Sequence, residues 1–268
     1  MEGADRACYA LSDIHGRLKT LDRLLEKVSP AENDEIYILG DMVDRGPDSV
    51  EVMKLCRNLP NATVLLGNHE QLMLDFFHNP QDQEALLNWA INGGVPTARG
   101  LMKMKADARH DLLDWAAGLA RWIVKTVAGR TYVLVHAGLR TEKLAADAAD
   151  HISAALAAQD ADDLVWIREG YLDRPTGLLD AKGEGPVIVG GHTPTALAET
   201  LADVTDRSAL NDDGRCQMLS LGATEATGGV ADRLVIDCGA GSVPDHGRLC
   251  MLRLDDRKEF YEDVLDGD

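Results

Sequence analysis

The chain has 268 residues, with 45 acidic and 27 basic side chains and a net charge of −18. So acidic a surface repels phosphate backbones and anionic headgroups, which argues against nucleic-acid or membrane partners; a phosphate substrate stays open, because metal charge can reverse the field inside one cleft. Aromatics are 4% of residues, so a core must rest on Leu, Val, Ile, Ala and Met, and the length admits one large α/β domain or two small ones. Cys8, Cys56, Cys216, Cys238 and Cys250 form no CxxC pair, and reduced, buried thiols in a cytoplasmic protein are expected. The N-terminal stretch MEGADRACYALSD carries acids and no apolar h-region, so no signal peptide is expected. No apolar run approaches the roughly 20 residues that span a bilayer.

Along the chain, Cys8–Ser12 is a short apolar run ending at Asp13 and reads as a strand. Arg17–Val28 sets Leu18, Leu21, Leu24, Leu25 and Val28 at helical spacing, and Ser29-Pro30 ends it. Glu35–Leu39 reads as a second strand entering Gly40-Asp41, Asp48–Leu59 as a helix opened by Pro47, and Thr63–Leu66 as a third strand entering Gly67-Asn68-His69. Strand, loop and helix in repetition predict a layered α/β fold with parallel pairing. Glu84–Ile91 and Ala108–Leu119 have helical spacing, with Asn92-Gly93-Gly94 breaking the chain between them. Trp122–Val127 and Thr131–Val135 form a predicted hairpin across Ala128-Gly129-Arg130, and Ala-rich Glu142–Ala158 a predicted helix. Pro186–Val189, Leu234–Asp237 and Leu249–Leu254 complete the predicted strands. Leu197–Val230 is expected to be irregular surface, and since nothing in it has linker composition, one domain is expected.

The informative pattern lies where strands end. Five of them run into Ser12-Asp13-Ile14-His15-Gly16, Gly40-Asp41-Met42-Val43-Asp44-Arg45-Gly46, Gly67-Asn68-His69-Glu70, His136-Ala137-Gly138 and Gly190-Gly191-His192-Thr193-Pro194. In open α/β sheets, sites form outside the carboxyl ends of strands, so these could converge. Singly, each motif is ordinary: an Asp after a strand caps helices, and Asn or Thr serves turns. Together, burying so many polar groups without a cation would be very costly. Carboxylate, amide and imidazole without thiolate suit a pair of divalent ions such as Mn, Fe or Zn, with Mn the first choice. Asp13 and His15, two apart on one extended segment, can reach one ion. Asp41 has two oxygens and can bridge; Asn68, His136 and His192 can complete the second ion. Two such ions would share a hydroxide and clamp a phosphoryl group. His78, His110, His151 and His246 lie outside these motifs and read as surface or packing residues.

These motifs resemble the signature of the phosphoprotein phosphatase family of calcineurin-like metallophosphoesterases, from Asp13 to about Leu254. The resemblance is nearest to the compact bacterial and phage branch typified by the phage lambda phosphatase. Asn92-Gly93-Gly94, Trp166-Ile167-Arg168-Glu169 and Ile236-Asp237-Cys238-Gly239-Ala240-Gly241 resemble that branch too. It implies an α/β layered fold, a central β-sandwich flanked by helices. It also implies Asp13 and His15 on the first ion, Asp41 bridging, and Asn68, His136 and His192 on the second. His69 would be the general acid, Asp44 its orienting partner, and Arg45 and Arg168 phosphate clamps. The implied reaction is single-step hydrolysis by the shared hydroxide, with no covalent phosphoenzyme. The substrate expected is a serine/threonine phosphoprotein or phosphopeptide, with small phosphoesters as further substrates. The alternative is a symmetrical diadenosine tetraphosphatase acting on dinucleoside polyphosphates. Asp44 and Glu70 decide for the protein phosphatase, because those hydrolases usually lack the acid at the first position and carry Asp at the second.

Overall fold

A computed structural model describes residues 6–243 and 245–268; the first residues of the acidic N-terminal stretch lie outside them. Two five-stranded sheets face each other. One has the order β10-β9-β1-β2-β3, built from β1 (Cys8–Leu11), β2 (Glu35–Ile38), β3 (Ala62–Val64), β9 (Arg248–Arg253) and β10 (Lys258–Asp263). The other has the order β4-β5-β6-β8-β7, from β4 (Trp122–Val127), β5 (Arg130–Val135), β6 (Val187–Gly190), β7 (Leu219–Leu221) and β8 (Arg233–Val235). β1, β2 and β3 run parallel, as do β5, β6 and β8; β9 and β10 add antiparallel to the first sheet beside β1, and β4 and β7 are antiparallel edges of the second.

The pleat divides each strand between two cores. Cys8 and Ala10 of β1, Tyr37 of β2, Tyr132 and Leu134 of β5, Val187 and Val189 of β6, and Cys250 and Leu252 of β9 interleave between the sheets. Their alternate neighbours Tyr9, Leu11, Ile36, Ile38, Leu249 and Met251 face α1 (Leu18–Val28), α2 (Ser49–Asn58) and the helices after β3. Val133, Val135, Ile188 and Val235 face a third cluster with α7 (Ile152–Ala157), α8 (Asp163–Trp166) and α9 (Thr195–Leu201). A strand covered on both faces needs apolar residues throughout, which is why these runs read as continuous rather than alternating. The expected helix-flanked β-sandwich is thus the observed architecture.

Several local expectations need correction. Gly67-Asn68-His69-Glu70 is not only a loop: Asn68 opens α3 (Asn68–His78). After α4 (Gln83–Ile91), Asn92-Gly93-Gly94 leads at once into α5 (Val95–Lys103), ahead of α6 (Ala106–Ala117). The predicted helix Glu142–Ala158 shrinks to a 3₁₀ turn, Thr141–Lys143, and α7. Arg140 and Lys143 are drawn to Asp163 and Asp160, which holds the entry of that segment in tight turns. Leu197–Val230 is not all irregular surface. It holds the end of α9 and all of β7, and it buries Ala209, Cys216, Met218, Leu219 and Leu221. All five cysteines are buried and free. His78, His110, His151 and His246 are exposed, as their polar contexts predict. Among the described residues no helix is long and apolar enough to cross a membrane.

Candidate active site

The parallel strands of both sheets end at the same edge, and the loops leaving them interlock there. Asp13 N donates to Gly40 O at 3.1 Å, His15 N to Asp41 O at 2.9 Å, and Gly16 N to Met42 O at 2.8 Å, joining the loops after β1 and β2. The second sheet is tied in by His192 N, which donates to Asp13 Oδ2 at 2.9 Å, and by His136 Nδ1, which donates to Leu39 O at 2.8 Å. Asp13, His15, Asp41, Asp44, Arg45 and His192 have positive φ, at 55, 49, 55, 73, 66 and 63°. This corrects the expected extended segment at Asp13 and His15. A left-handed non-glycine residue costs on the order of 1–3 kcal/mol, and such conformations cluster where function demands them.

The convergence brings together every residue that the sequence singled out. Asp13, His15, Asp41, Asp44, Asn68, His69, His136 and His192 are all buried. His15 Nδ1 donates to Val43 O at 2.9 Å, which turns Nε2 towards Asp41 Oδ2 at 3.7 Å and Asp13 Oδ1 at 3.9 Å. His136 Nε2 lies 3.4 Å from Asp41 Oδ1 and 2.9 Å from Asn68 Oδ1. His192 Nδ1 lies 2.8 Å from the same Asn68 oxygen, while its Nε2 faces Trp166 O at 3.2 Å. Asp41 belongs to two compact donor groups, one with His15 and His69 and one with His136 and His192. Asp41 is thus common to both groups.

The donor chemistry fits a cation. With Nδ1–H of His136 on Leu39 O and Nε2–H of His192 on Trp166 O, the remaining ring nitrogens carry lone pairs, and both face the Asn68 carbonyl oxygen. Burial pushes His192 well below the ordinary imidazole range, with His136 and Arg168 adding to the shift, so protonation is not how this opposition is relieved. Burial does the same to His15, aided by His69 and Arg45. Burial pushes the Asp41 carboxyl well above the carboxylate range; His69 opposes this, and Asp13 and Glu70 add to it. Asp13 Oδ1 is buried with no hydrogen-bond partner among the described residues. Acceptors aimed at acceptors around costly carboxylates are what a divalent ion would satisfy.

His69 sits differently. Its Nδ1 donates to Asp44 Oδ2 at 2.7 Å, and Arg45 Nη2 donates to its Nε2 at 3.1 Å. Arg45 is otherwise exposed at the rim, and Arg168 is half-buried, with Nη2 3.5 Å from His192 O and a buried Nε that has no partner among the described residues. Burial lowers the Arg168 pKa, while Asp237 and Asp13 oppose that. Both arginines therefore face the cluster with donors to spare.

Three features escaped the sequence reading. Glu70 is fully buried, and its carboxylate accepts from Asp41 N at 2.8 Å, Met42 N at 2.8 Å and Gly67 N at 3.0 Å. Asp237, two residues past β8, is also buried. Burial and the neighbouring Asp13 push its carboxyl well above the usual range. The strand-end rule that found the other ligand types applies to it equally. Trp89 and Thr97, from α4 and α5, reach Asp44; a buried tryptophan on a helix carries no sequence mark of its acceptor. The glycines of the motifs clear space for the cage. A Cβ on Gly191 would lie 2.0 Å from Asp13 Oδ2 and 2.2 Å from Ser12 Oγ. Gly191→Ala should therefore cost about 1–3 kcal/mol in urea unfolding and weaken metal uptake; a loss below about 0.5 kcal/mol would mean the loop yields freely.

The chain resembles several known proteins. It is 36% identical over 136 residues to the symmetrical bis(5'-nucleosyl)-tetraphosphatase of Ectopseudomonas mendocina (strain ymp), covering 50% of this chain and 45% of that protein. It is 33% identical over 173 residues to the enzyme of the same name from Pseudomonas fluorescens (strain SBW25), covering 62% and 54%. The chain thus spans about half the length of the curated relatives it matches. Among solved structures, a candidate diadenosine tetraphosphatase superposes with a TM-score of 0.60 at 19% identity, covering 100% of this chain and 97% of that one. A protein serine/threonine phosphatase from Saccharomyces cerevisiae superposes at 0.54 with 14% identity, covering 98% and 82%. At such identities these superpositions speak for the fold alone.

The shared name overturns the expected serine/threonine protein phosphatase and favours the alternative; nor do these relatives carry the name of the phage lambda branch. The geometry explains why Asp44 and Glu70 misled. Glu70 spends its carboxylate on backbone amides, and Asp44 is fully buried behind His69, so neither side chain reaches outward to read a substrate. The family model for calcineurin-like phosphoesterases matches residues 8–220, most of the chain and all of the cage described above, and the chain belongs to that family.

Proposed function

We propose that the chain hydrolyses dinucleoside tetraphosphates symmetrically, releasing two nucleoside diphosphates, with two divalent metal ions as cofactors. The name shared by the curated relatives carries the substrate class, and the buried cage supports the chemistry. Asp13, His15 and Asp41 would hold one ion, and Asp41, Asn68, His136 and His192 the other. When bound, such ions supply Lewis acidity, drawing charge from phosphoryl oxygens and acidifying water. Mn²⁺ remains the first choice, with Fe and Zn as alternatives.

The remaining residues handle the polyphosphate. Arg45 and Arg168 offer forked donors to its anionic oxygens. When Arg45 turns its fork wholly to the polyphosphate it releases Nε2 of His69, which frees that nitrogen to carry a proton to the departing diphosphate. Asp44 holds the opposite edge of the ring, so the proton is presented from Nε2 and the imidazolium is balanced by a buried carboxylate. A phosphate oxygen with a second pKa of about 6 leaves more readily than an alkoxide. His69 should therefore matter less for the dinucleotide than for an alkyl phosphate.

The test compares diadenosine tetraphosphate, a phosphopeptide and p-nitrophenyl phosphate with and without Mn²⁺. The dinucleotide should give the highest kcat/KM, with ADP as the sole nucleotide product. A higher value on the phosphopeptide, or ATP and AMP in equal amounts, would overturn the proposal.

A further inference from the structure

Asn92-Gly93-Gly94, the elbow between α4 and α5, has no part in the reaction as described, yet it is packed against the reacting pair. Asp44 is fully buried, and three side chains aim donors at its carboxylate: His69 Nδ1 at 2.7 Å, Trp89 Nε1 at 3.0 Å and Thr97 Oγ1 at 2.6 Å. Trp89 comes from α4 and Thr97 from α5, on either side of the elbow. Thr97 Oγ1 and Ser49 Oγ also accept from Asp44 N, each at 2.9 Å, so backbone and carboxylate are fixed together. The elbow itself is moulded to its neighbours. Arg45 N donates to Gly93 O at 2.9 Å. A Cβ on Gly93, at φ 98°, would lie 2.9 Å from Arg45 Cγ, and one on Gly94 would lie 2.4 Å from Trp89 Nε1. The Trp89 ring is wedged against Phe76 and Phe77, with centroids 5.3 and 6.0 Å away, and both belong to α3, the helix that carries His69.

From this we infer that the α4–α5 elbow positions the general acid and the rim arginine, with Trp89 and Thr97 as positioning residues acting on His69 through Asp44. A buried carboxylate with three donors aimed at it has no freedom to turn, and an imidazole bonded to that carboxylate inherits the fixed aim. A tryptophan filling core space needs some acceptor for its N–H, but not this one. The Gly-Gly pair lets the elbow approach Arg45 and Trp89 with no intervening side chain. The inference rests on the proposed role of His69 as acid.

The experiment uses the whole chain loaded with metal. Trp89→Phe and Thr97→Val each remove one donor, His69→Asn removes the acid, and Thr97→Ser is the conservative control. With Mn²⁺, kcat on phenyl phosphate should fall about 10-fold in Trp89→Phe and Thr97→Val, while kcat on p-nitrophenyl phosphate, with its better leaving group, falls less than about 2-fold. KM should hold in both cases, and Thr97→Ser should recover. With diamagnetic Zn²⁺, the downfield proton resonance absent from His69→Asn should shift or broaden in both variants, whether or not monoesters are turned over. If His69→Asn separates the two leaving groups but neither Trp89→Phe nor Thr97→Val does so or moves the resonance, the inference fails and the acid role stands. Equal losses on both esters that track thermal stability would also overturn it. If His69→Asn itself shows no leaving-group dependence, the acid role fails and takes the inference with it.

Discussion

Asp41→Asn is expected to empty the metal cage while leaving the metal-free protein at least as stable as the wild type. Asp41 is 2% exposed, and its carboxyl is pushed well above the ordinary range by burial, so without a cation its charge opposes folding. Asparagine removes that charge and keeps an oxygen for His69 N, which donates to Asp41 Oδ1 at 3.0 Å. With metal the order should reverse. A ligand at 100 times its Kd adds about 2.7 kcal/mol per site, and a chain of this size gains roughly 2–4 °C in Tm per kcal/mol. Saturating Mn²⁺ should therefore raise the wild-type Tm by roughly 5 °C or more per ion, and that of Asp41→Asn hardly at all. Because Asp41 stands in both donor groups, elemental analysis should find the variant short of both ions of this dinuclear, metal-dependent family. Activity should fall on the order of 10³-fold. If the variant keeps one full ion and a metal-induced Tm rise, Asp41 is not shared.

Removing the Glu70 carboxylate should cost more stability than any other single change at the site. Its oxygens accept from Asp41 N, Met42 N, Gly67 N and Val43 N, at 2.8, 2.8, 3.0 and 3.3 Å, inside a fully buried junction. Glu70→Ala leaves four buried amides without their acceptor, each worth about 1–3 kcal/mol, so about 3–5 kcal/mol should be lost in urea unfolding, allowing for some water entry. Glu70→Gln keeps the shape but sets an N–H₂ against at least one backbone N–H, and should lose about half as much. Both should bind metal more weakly, because these amides fix the loop that carries Asp41. A loss below about 1 kcal/mol in Glu70→Ala would mean the junction is held by something else.

The sequence by itself determined which polar side chains meet at the site. Six side chains of three metal-binding types, Asp, Asn and His, at strand ends with glycines beside them are local signals, because the turn that presents such a side chain and the side chain itself are neighbours in the chain. It also determined the layered fold, since strands covered on both faces need uninterrupted apolar runs. Only the tertiary structure decided what stands behind the ligands. Trp89 and Thr97 lie 45 and 53 residues from Asp44, and Glu70 serves amides up to 29 residues away. No spacing rule links a donor to an acceptor across such distances, because the link is made by packing helices against loops. The same reason separates Asp44 and Glu70 from substrate choice: in the sequence they are markers that set one branch of the resemblance against the other, and in the folded chain their polar atoms are spent on the protein itself.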